Sequence, residues 1–170
     1  MAVTVSYERI CGTVASLLLL FARIENEARE IIEKAGRTDR LKKVRGARGA
    51  LREWRDSILE KQESRPYEAQ LADALWGQAQ GPLDVRNGVC HGLCGATASL
   101  GDTEANLTWW VHGGTQSMTY SELQEVFAWL SKIPQAMPMI SHAACVQDAS
   151  KLRPLPALDF WATEFGIKFD

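Results

Sequence analysis

Apolar residues recur at alternating steps of four and three through Ile10, Val14, Leu17, Phe21, Ile24, Ala28, Ile31 and Ala35, which predicts one long helix over residues 6–35 with a heptad seam. Gly36 stops it, and Leu18, Leu19 and Leu20 widen its apolar face, so this helix is expected to run through the centre of the fold. A second helix is expected from a Thr38 cap to about Gln62, with Leu41, Val44, Leu51, Trp54 and Ile58 on one side. Gly46 and Gly49 fall inside it and find no account there beyond close packing. Pro66 suits the first turn of a third helix, carrying Leu71, Leu75, Trp76 and Ala79 and ended by Gly81-Pro82. Asp84 then reads as the cap of a fourth helix from Val85 to about Leu100, closed by Gly101 and Asp102. Its small residues, Gly88, Gly92, Gly95, Ala96 and Ala98, allow another backbone to approach it closely.

The pattern changes at Leu107–Val111, which with His112-Gly113-Gly114 and Thr115–Tyr120 reads as a short hairpin about a glycine turn. Two strands alone are marginal, so an appendage is expected rather than a sheet. Ser121-Glu122-Leu123-Gln124 has the form of a capping box opening a further helix through Val126, Phe127 and Leu130, ended by Pro134. The remainder, Gln135 to Asp170, is punctuated by Pro138, Pro154 and Pro156, and its Phe160, Trp161, Phe165 and Phe169 predict that it packs on the bundle. The expected fold class is all-α: a helical bundle with a small β-hairpin insertion and a Pro-punctuated C-terminal tail.

At 170 residues and 46% hydrophobic content the chain is sized for one domain, a core over about residues 6–133 and an extension over about 134–170. The net charge of −2 supplies no global positive field, so any polyanion must be held by a local patch. One such patch is predicted. On a helical wheel Lys42, Arg45, Arg48, Arg52 and Arg55 fall within a stripe about 140° wide beside the apolar face of the second helix. It reads either as a solvated flank or as an RNA-backbone contact. Cys11, Cys90, Cys94 and Cys145 show no disulfide framework, which points to a reducing compartment. The longest apolar run, Val14–Ala22, is far short of the roughly 20 residues that span a bilayer and has no basic leader. A soluble, cytoplasmic protein with no membrane partner is expected.

One stretch carries chemistry, Asp84-Val85-Arg86-Asn87-Gly88-Val89-Cys90-His91-Gly92. Were RNA the substrate, it would bring its own nucleophile, the 2′-hydroxyl, and cleaving it would require only a group to move protons and a group to hold the charge that grows on the phosphorane. Imidazole suits the first task near neutrality, which assigns it to His91. A guanidinium presents a fixed fork of donors to phosphate oxygens, which assigns the second to Arg86, in a position expected to lie beside a helix N-terminus, itself favourable to anions. Asn87 would orient Arg86, His91 or the phosphate by hydrogen bonding. No metal or other cofactor is needed. Five positions along a helix set Arg86 and His91 about 140° apart, which aims them poorly at one phosphate from one helix. Two copies meeting about a two-fold axis solve this.

The arginine, its following amide and the later histidine resemble the signature of the HEPN superfamily, in which four to six residues separate an arginine from a histidine. The architectural resemblance covers about Tyr7 to Leu130, and the residue-level resemblance is confined to the motif. It implies a metal-independent endoribonuclease of the toxin or phage-defence kind, acting on single-stranded or loop RNA by general acid–base chemistry, as a homodimer whose motifs face one another across a composite cleft, and leaving a 2′,3′-cyclic phosphate. RNA is the implied substrate and an antitoxin protein a candidate partner, with no DNA. HEPN toxins silenced by a partner nucleotidyltransferase typically carry tyrosine two positions past the motif histidine, where this chain has Leu93, so that mode of control is not expected.

Other readings of the same residues stand beside this one. His91 also reads as an inert interface or core histidine with Arg86 in a salt bridge, in a non-catalytic module that binds a protein or nucleotide, since many HEPN-like domains serve as binding or scaffold modules. Cys90 and Cys94 with His142 and Cys145 would make a zinc set, although neither pair has the usual two-residue knuckle. His112 reads as a turn residue, with an RNA groove as its alternative setting. Trp109 and Trp110 point to opposite faces of a strand, one to the core and the other to a base-stacking platform or an interface.

Overall fold

The computed structural model describes residues 4–100, 103–145 and 154–169. Its first helix, α1 (Tyr7–Lys34), follows the predicted seam: Ile10, Leu17, Phe21, Ile24, Ala28 and Ile31 are all buried. Gly36, at φ +75°, ends it. The Gly36 N–H donates to the Glu33 carbonyl at 2.8 Å and the Arg37 N–H to the Ile32 carbonyl at 3.1 Å, the paired bonds that satisfy orphan carbonyls at a helix C-terminus.

The expected second helix is broken in two, α2 (Thr38–Leu41) and α3 (Gly46–Leu59). Arg45 is extended and Gly46 takes φ +64°, a left-handed conformation that costs a glycine little and other residues much. The excursion between them buries Val44, whose carbonyl accepts from Arg29 Nη2 at 3.2 Å. Gly46 is thus the break and not a packing site inside a helix. Beyond it α3 buries Ala47, Ala50, Leu51, Trp54 and Ile58 as one stripe.

The expected third and fourth helices are a single helix, α4 (Pro66–Gly92), with Pro82 in its interior. An interior proline removes a backbone bond and costs about 3 kcal/mol. Against that, the apolar seam Leu71, Leu75, Ala79, Leu83 continues through it at four-residue steps and is fully buried. Burying such side chains contributes roughly 1.5–3 kcal/mol each, enough to carry the helix past the proline. Asp84 is therefore not a cap, and the segment that follows lies in the last turns of a helix.

The helix stops at Gly92, where the sequence led us to expect helix as far as Leu100. Residues Leu93–Thr97 instead form β1, which pairs antiparallel with β2 (Asn106–Val111), itself paired antiparallel with β3 (Gly114–Thr119). The hairpin is as predicted, but it belongs to a three-stranded sheet in the order β1-β2-β3 and is not a two-stranded appendage. Gly101 and Asp102 lie outside the described residues.

The next helix, α5 (Tyr120–Leu130), is capped two residues earlier than expected. Glu122 Oε2 accepts from the Thr119 N–H at 2.7 Å, and Thr119 Oγ1 accepts from the Glu122 N–H at 3.2 Å, so the reciprocal box is Thr119 with Glu122. Beside it the Ser121 hydroxyl and N–H hold the Glu104 carboxyl below the ordinary carboxylate range. Pro134 does not end α5; it sits in the first turn of α6 (Ile133–Cys145), where proline costs nothing. The last helix, α7 (Leu158–Phe165), ends at Gly166 with φ +64°. Among its described residues the tail is thus largely helical. Its Trp161, Phe165 and Ile167 are buried, and Trp161 Nε1 and Tyr67 Oη both donate to the Pro156 carbonyl, at 3.2 and 2.5 Å. The protein is mostly helical with one small antiparallel sheet. Among the described residues no helix is long and apolar enough to cross a membrane.

Two compact units divide the chain. One holds residues up to Leu20 with Gly81–Leu130, its core built from Ile10, Leu17, Leu83, Leu107, Trp109 and Leu123. The other holds Phe21–Gln80 with the segment from Ser131 onward, centred on Trp54, Leu71, Leu75 and Trp161. Within the second, the fully buried Trp54 donates from Nε1 to Ser141 Oγ at 2.7 Å, and Ser141 donates onward to the Met137 carbonyl at 2.7 Å.

Removing that acceptor leaves a buried indole N–H unsatisfied. Ser141→Ala is expected to cost about 1–3 kcal/mol, read as a lower denaturant midpoint at unchanged slope. Glu60 supplies a pH-dependent contribution. Burial pushes its carboxyl up, but the guanidinium groups of Arg40 and Arg37 outweigh that and hold it below the ordinary value. A depressed carboxylate stabilises the fold above its unfolded pKa, and the contribution is lost as pH falls through the folded one. Glu60→Gln should therefore lower Tm slightly at neutral pH, with the gap from wild type closing in acid; a gap that widens in acid would contradict this sign.

Candidate functional site

The motif occupies the last turns of α4. Asp84, Asn87, Gly88, His91 and Gly92 follow the spacing of one helical face, while Val85 and Val89 turn into the core. Two of the face positions are glycines, and each is there for what approaches it. A Cβ at position 88 would collide with the indole of Trp109, and one at position 92 would stand 2.8 Å from the Trp110 carbonyl oxygen. The hairpin strand β2 can therefore lie directly on the helix, as the run of small residues led us to expect.

Along β2 the side chains alternate. Leu107 and Trp109 are buried, Trp109 with 3% exposure, whereas Trp110 is 64% exposed. This is the expected division of the two tryptophans. The β2–β3 register runs from Asn106 opposite Thr119 to Val111 opposite Gly114, which leaves His112-Gly113 as a two-residue loop, with Gly113 at φ +92°. His112 is thus the turn residue foreseen, but it also joins a site.

Between the helix face and the hairpin runs an open groove of about 470 Å3. Asp84, Asn87 and His91 line it from α4; Trp110, His112 and Gln116 line it from the hairpin. His91, from the helix, and His112, from the hairpin, are both exposed. Arg86 is not among the lining residues. Its Nη1 donates to Asn87 Oδ1 at 3.1 Å, and its Nε is sealed from solvent with no hydrogen-bond partner among the described residues. Asn87, which lines the groove, thus accepts a hydrogen bond from Arg86, which does not. The expectation that Arg86 lies beside a helix N-terminus is corrected: α4 runs on unbroken from Pro66, and the motif is at its carbonyl end, which favours cations and not anions.

The basic residues belong to the other unit and do not form one stripe. Lys42 follows α2, and Arg45 precedes α3 in extended conformation. Arg48 Nη1 donates to Gln80 Oε1 at 2.9 Å, and Arg55 is ion-paired with Asp73 at 2.6 Å and Asp56 at 3.2 Å beside the Trp76 ring. Arg45 and Arg52 remain at the surface, where with Lys43 they border a shallow cavity of about 550 Å3. Of the zinc alternative, Cys90 and Cys94 are exposed thiols and the side chain of Cys145 lies outside the described residues. Among the described residues no group of three or more His, Cys, Asp or Glu is placed to hold a metal ion.

Sequence reasoning passed over Asp84 and Gln116 as lining residues and gave His112 a minor part. The signal was present in the spacing of Gly88 and Gly92, one turn apart on the face that carries His91. No family model, curated protein or solved structure matches the chain, so the chemistry of the groove is read from its own residues.

The glycine at position 88 makes the approach of the hairpin testable. The ring it would meet belongs to a buried tryptophan and has nowhere to move, so Gly88→Ala should destabilise the protein by about 1–3 kcal/mol. Gly81→Ala, at an open position of the same helix, should not, and equal thermal midpoints for the two variants would refute the close packing.

Proposed function

We propose that the protein is a metal-independent endoribonuclease of the HEPN toxin or phage-defence type. The observation that carries this reading is the open groove that sets His91 and Asn87 beside an exposed tryptophan, with Arg86 tied to the same Asn87. His91 moves a proton during attack of the 2′-hydroxyl on the adjacent phosphate. Arg86 stabilises the charge on the phosphorane. Arg86 and His91 diverge by about 140° around α4, so a complete site pairs the groove of one copy with Arg86 of a second across a two-fold axis. The surface cations Arg45 and Arg52 are the candidates for contact with the RNA backbone outside the site.

Purified protein should cleave total cellular RNA in the presence of EDTA and leave 2′,3′-cyclic phosphate ends. Arg86→Ala and His91→Ala should each lower the rate by about 100-fold or more while both proteins stay folded. A mixed heterodimer of the two variants should recover part of the activity, because one of its grooves retains His91 and faces an intact Arg86. Loss of cleavage on chelation with recovery on adding zinc would overturn the mechanism. An exposed indole in a groove also suits a non-catalytic module that binds a protein or nucleotide, and absence of cleavage with retained nucleotide binding would favour that reading.

A further inference from the structure

We propose that His112 is the second proton-transfer group of this groove and Trp110 the platform for a base, so that the site takes unpaired RNA. The inference rests on the ribonuclease reading above and adds to it residues of the hairpin, which lies outside the arginine–histidine motif.

Cleavage through the 2′-hydroxyl requires two proton transfers. As O2′ bonds to phosphorus its proton must leave, and as the bond from phosphorus to O5′ breaks that oxygen must gain one. A neutral imidazole accepts the first proton and a protonated imidazole delivers the second. The products are a 2′,3′-cyclic phosphate and a 5′-hydroxyl, and the two imidazoles have exchanged protonation states, which water restores. The groove supplies an imidazole for each step, His91 from α4 and His112 from the hairpin loop. Neither position is casual. The two-residue loop and the unbroken β2–β3 register fix where His112 sits, and the contact of Gly92 with the Trp110 backbone fixes the hairpin against the helix that carries His91. The remaining titratable side chain of the lining is Asp84.

Trp110 defines the substrate class. Its indole is 64% exposed although Trp109 beside it is buried, and it lines the same groove as both histidines. A base stacks on such a ring only when it has left its own helix, so double-stranded RNA would not present one. The volume of the groove, about 470 Å3, lies in the range of small-ligand clefts and suits a single nucleotide.

The test uses the full-length protein in EDTA with two substrates, a single-stranded RNA oligonucleotide and uridine 3′-(4-nitrophenyl phosphate). Nitrophenolate leaves without a proton, so the second substrate needs a base but no acid. His112→Ala and His91→Ala should each slow oligonucleotide cleavage by about 100-fold or more. On the nitrophenyl substrate one of the two should return to within a few-fold of wild type and the other should not. Trp110→Ala should raise KM for the oligonucleotide by about 10-fold, and Trp110→Phe should restore most of it. His112→Asn repeats the measurement with a side chain of similar size, so that a loss of folding is not mistaken for a loss of chemistry. The proposal is overturned if wild type cleaves the oligonucleotide and His112→Ala does so equally fast, or if the nitrophenyl substrate rescues both histidine variants or neither. A wild-type protein that cuts neither substrate overturns the ribonuclease reading itself.

Discussion

The absence of a Cβ at positions 88 and 92 is the constraint on which the groove depends. A helix normally keeps a neighbouring strand at the distance set by its side chains. Here the Trp109 ring fills the space that a side chain at 88 would occupy, and the Trp110 carbonyl comes to the surface of the helix at 92. Trp109 is thereby buried, and since strand side chains alternate, Trp110 is forced outward. The two-residue loop then carries His112 round to the same side as Asn87 and His91. One pair of glycines, a turn apart, thus sets both walls of the groove. Glycine lowers helix propensity by about 1 kcal/mol relative to alanine, and the buried indole offsets that cost.

Continuity of α4 through Pro82 matters for the same reason. Because the helix runs on past Pro82, the motif lies in its last turns and not at a helix start. It also puts His91 and Gly92 at the end of a long helix, one step before β1 turns back to pair with β2. The site is therefore attached on both sides to regular structure, which holds side chains more closely than a loop would.

These points show where the sequence was readable. The first helix was legible almost to the residue, because a seam of eight apolar positions at helical spacing has no competing interpretation, and Gly36 closes it. The hairpin was legible from its glycine turn and its β-rich flanks. What failed was local punctuation. Gly46 read as a tolerated glycine within a helix, yet its positive φ breaks it; Gly81-Pro82 read as a break, yet burial on either side carries the helix through. Pro138 in α6 is the same case. Glycine and proline shift the local balance by a few kcal/mol at most, and burial that only the tertiary fold determines decides the outcome. The strand β1 was hidden because its partner lies beyond a loop, so nothing within Leu93–Thr97 announces it. Of the site, Asn87 and His91 were visible from their motif, whereas Trp110 and His112 could be assigned to it only once the hairpin was seen to lie on α4.

The charge of the groove bears on how a phosphate would be held there. Its lining carries one carboxylate, Asp84, two imidazoles and no lysine or arginine. A phosphodiester entering it would meet neutral or weakly cationic donors and a carboxylate, and the carbonyl end of α4 adds nothing favourable to an anion. The arginine nearest in sequence, Arg86, is turned by helical geometry away from the groove and bound to Asn87 at its rim. A fixed cation must then come from elsewhere for the proposed chemistry to proceed, since the phosphorane gains negative charge that imidazole alone disperses poorly. In the proposed assembly, Arg86 of a second copy would meet that need. The helical angle that turns Arg86 out of the groove is thus also what leaves the groove without a fixed cation, which is why the proposed chemistry calls for a second copy.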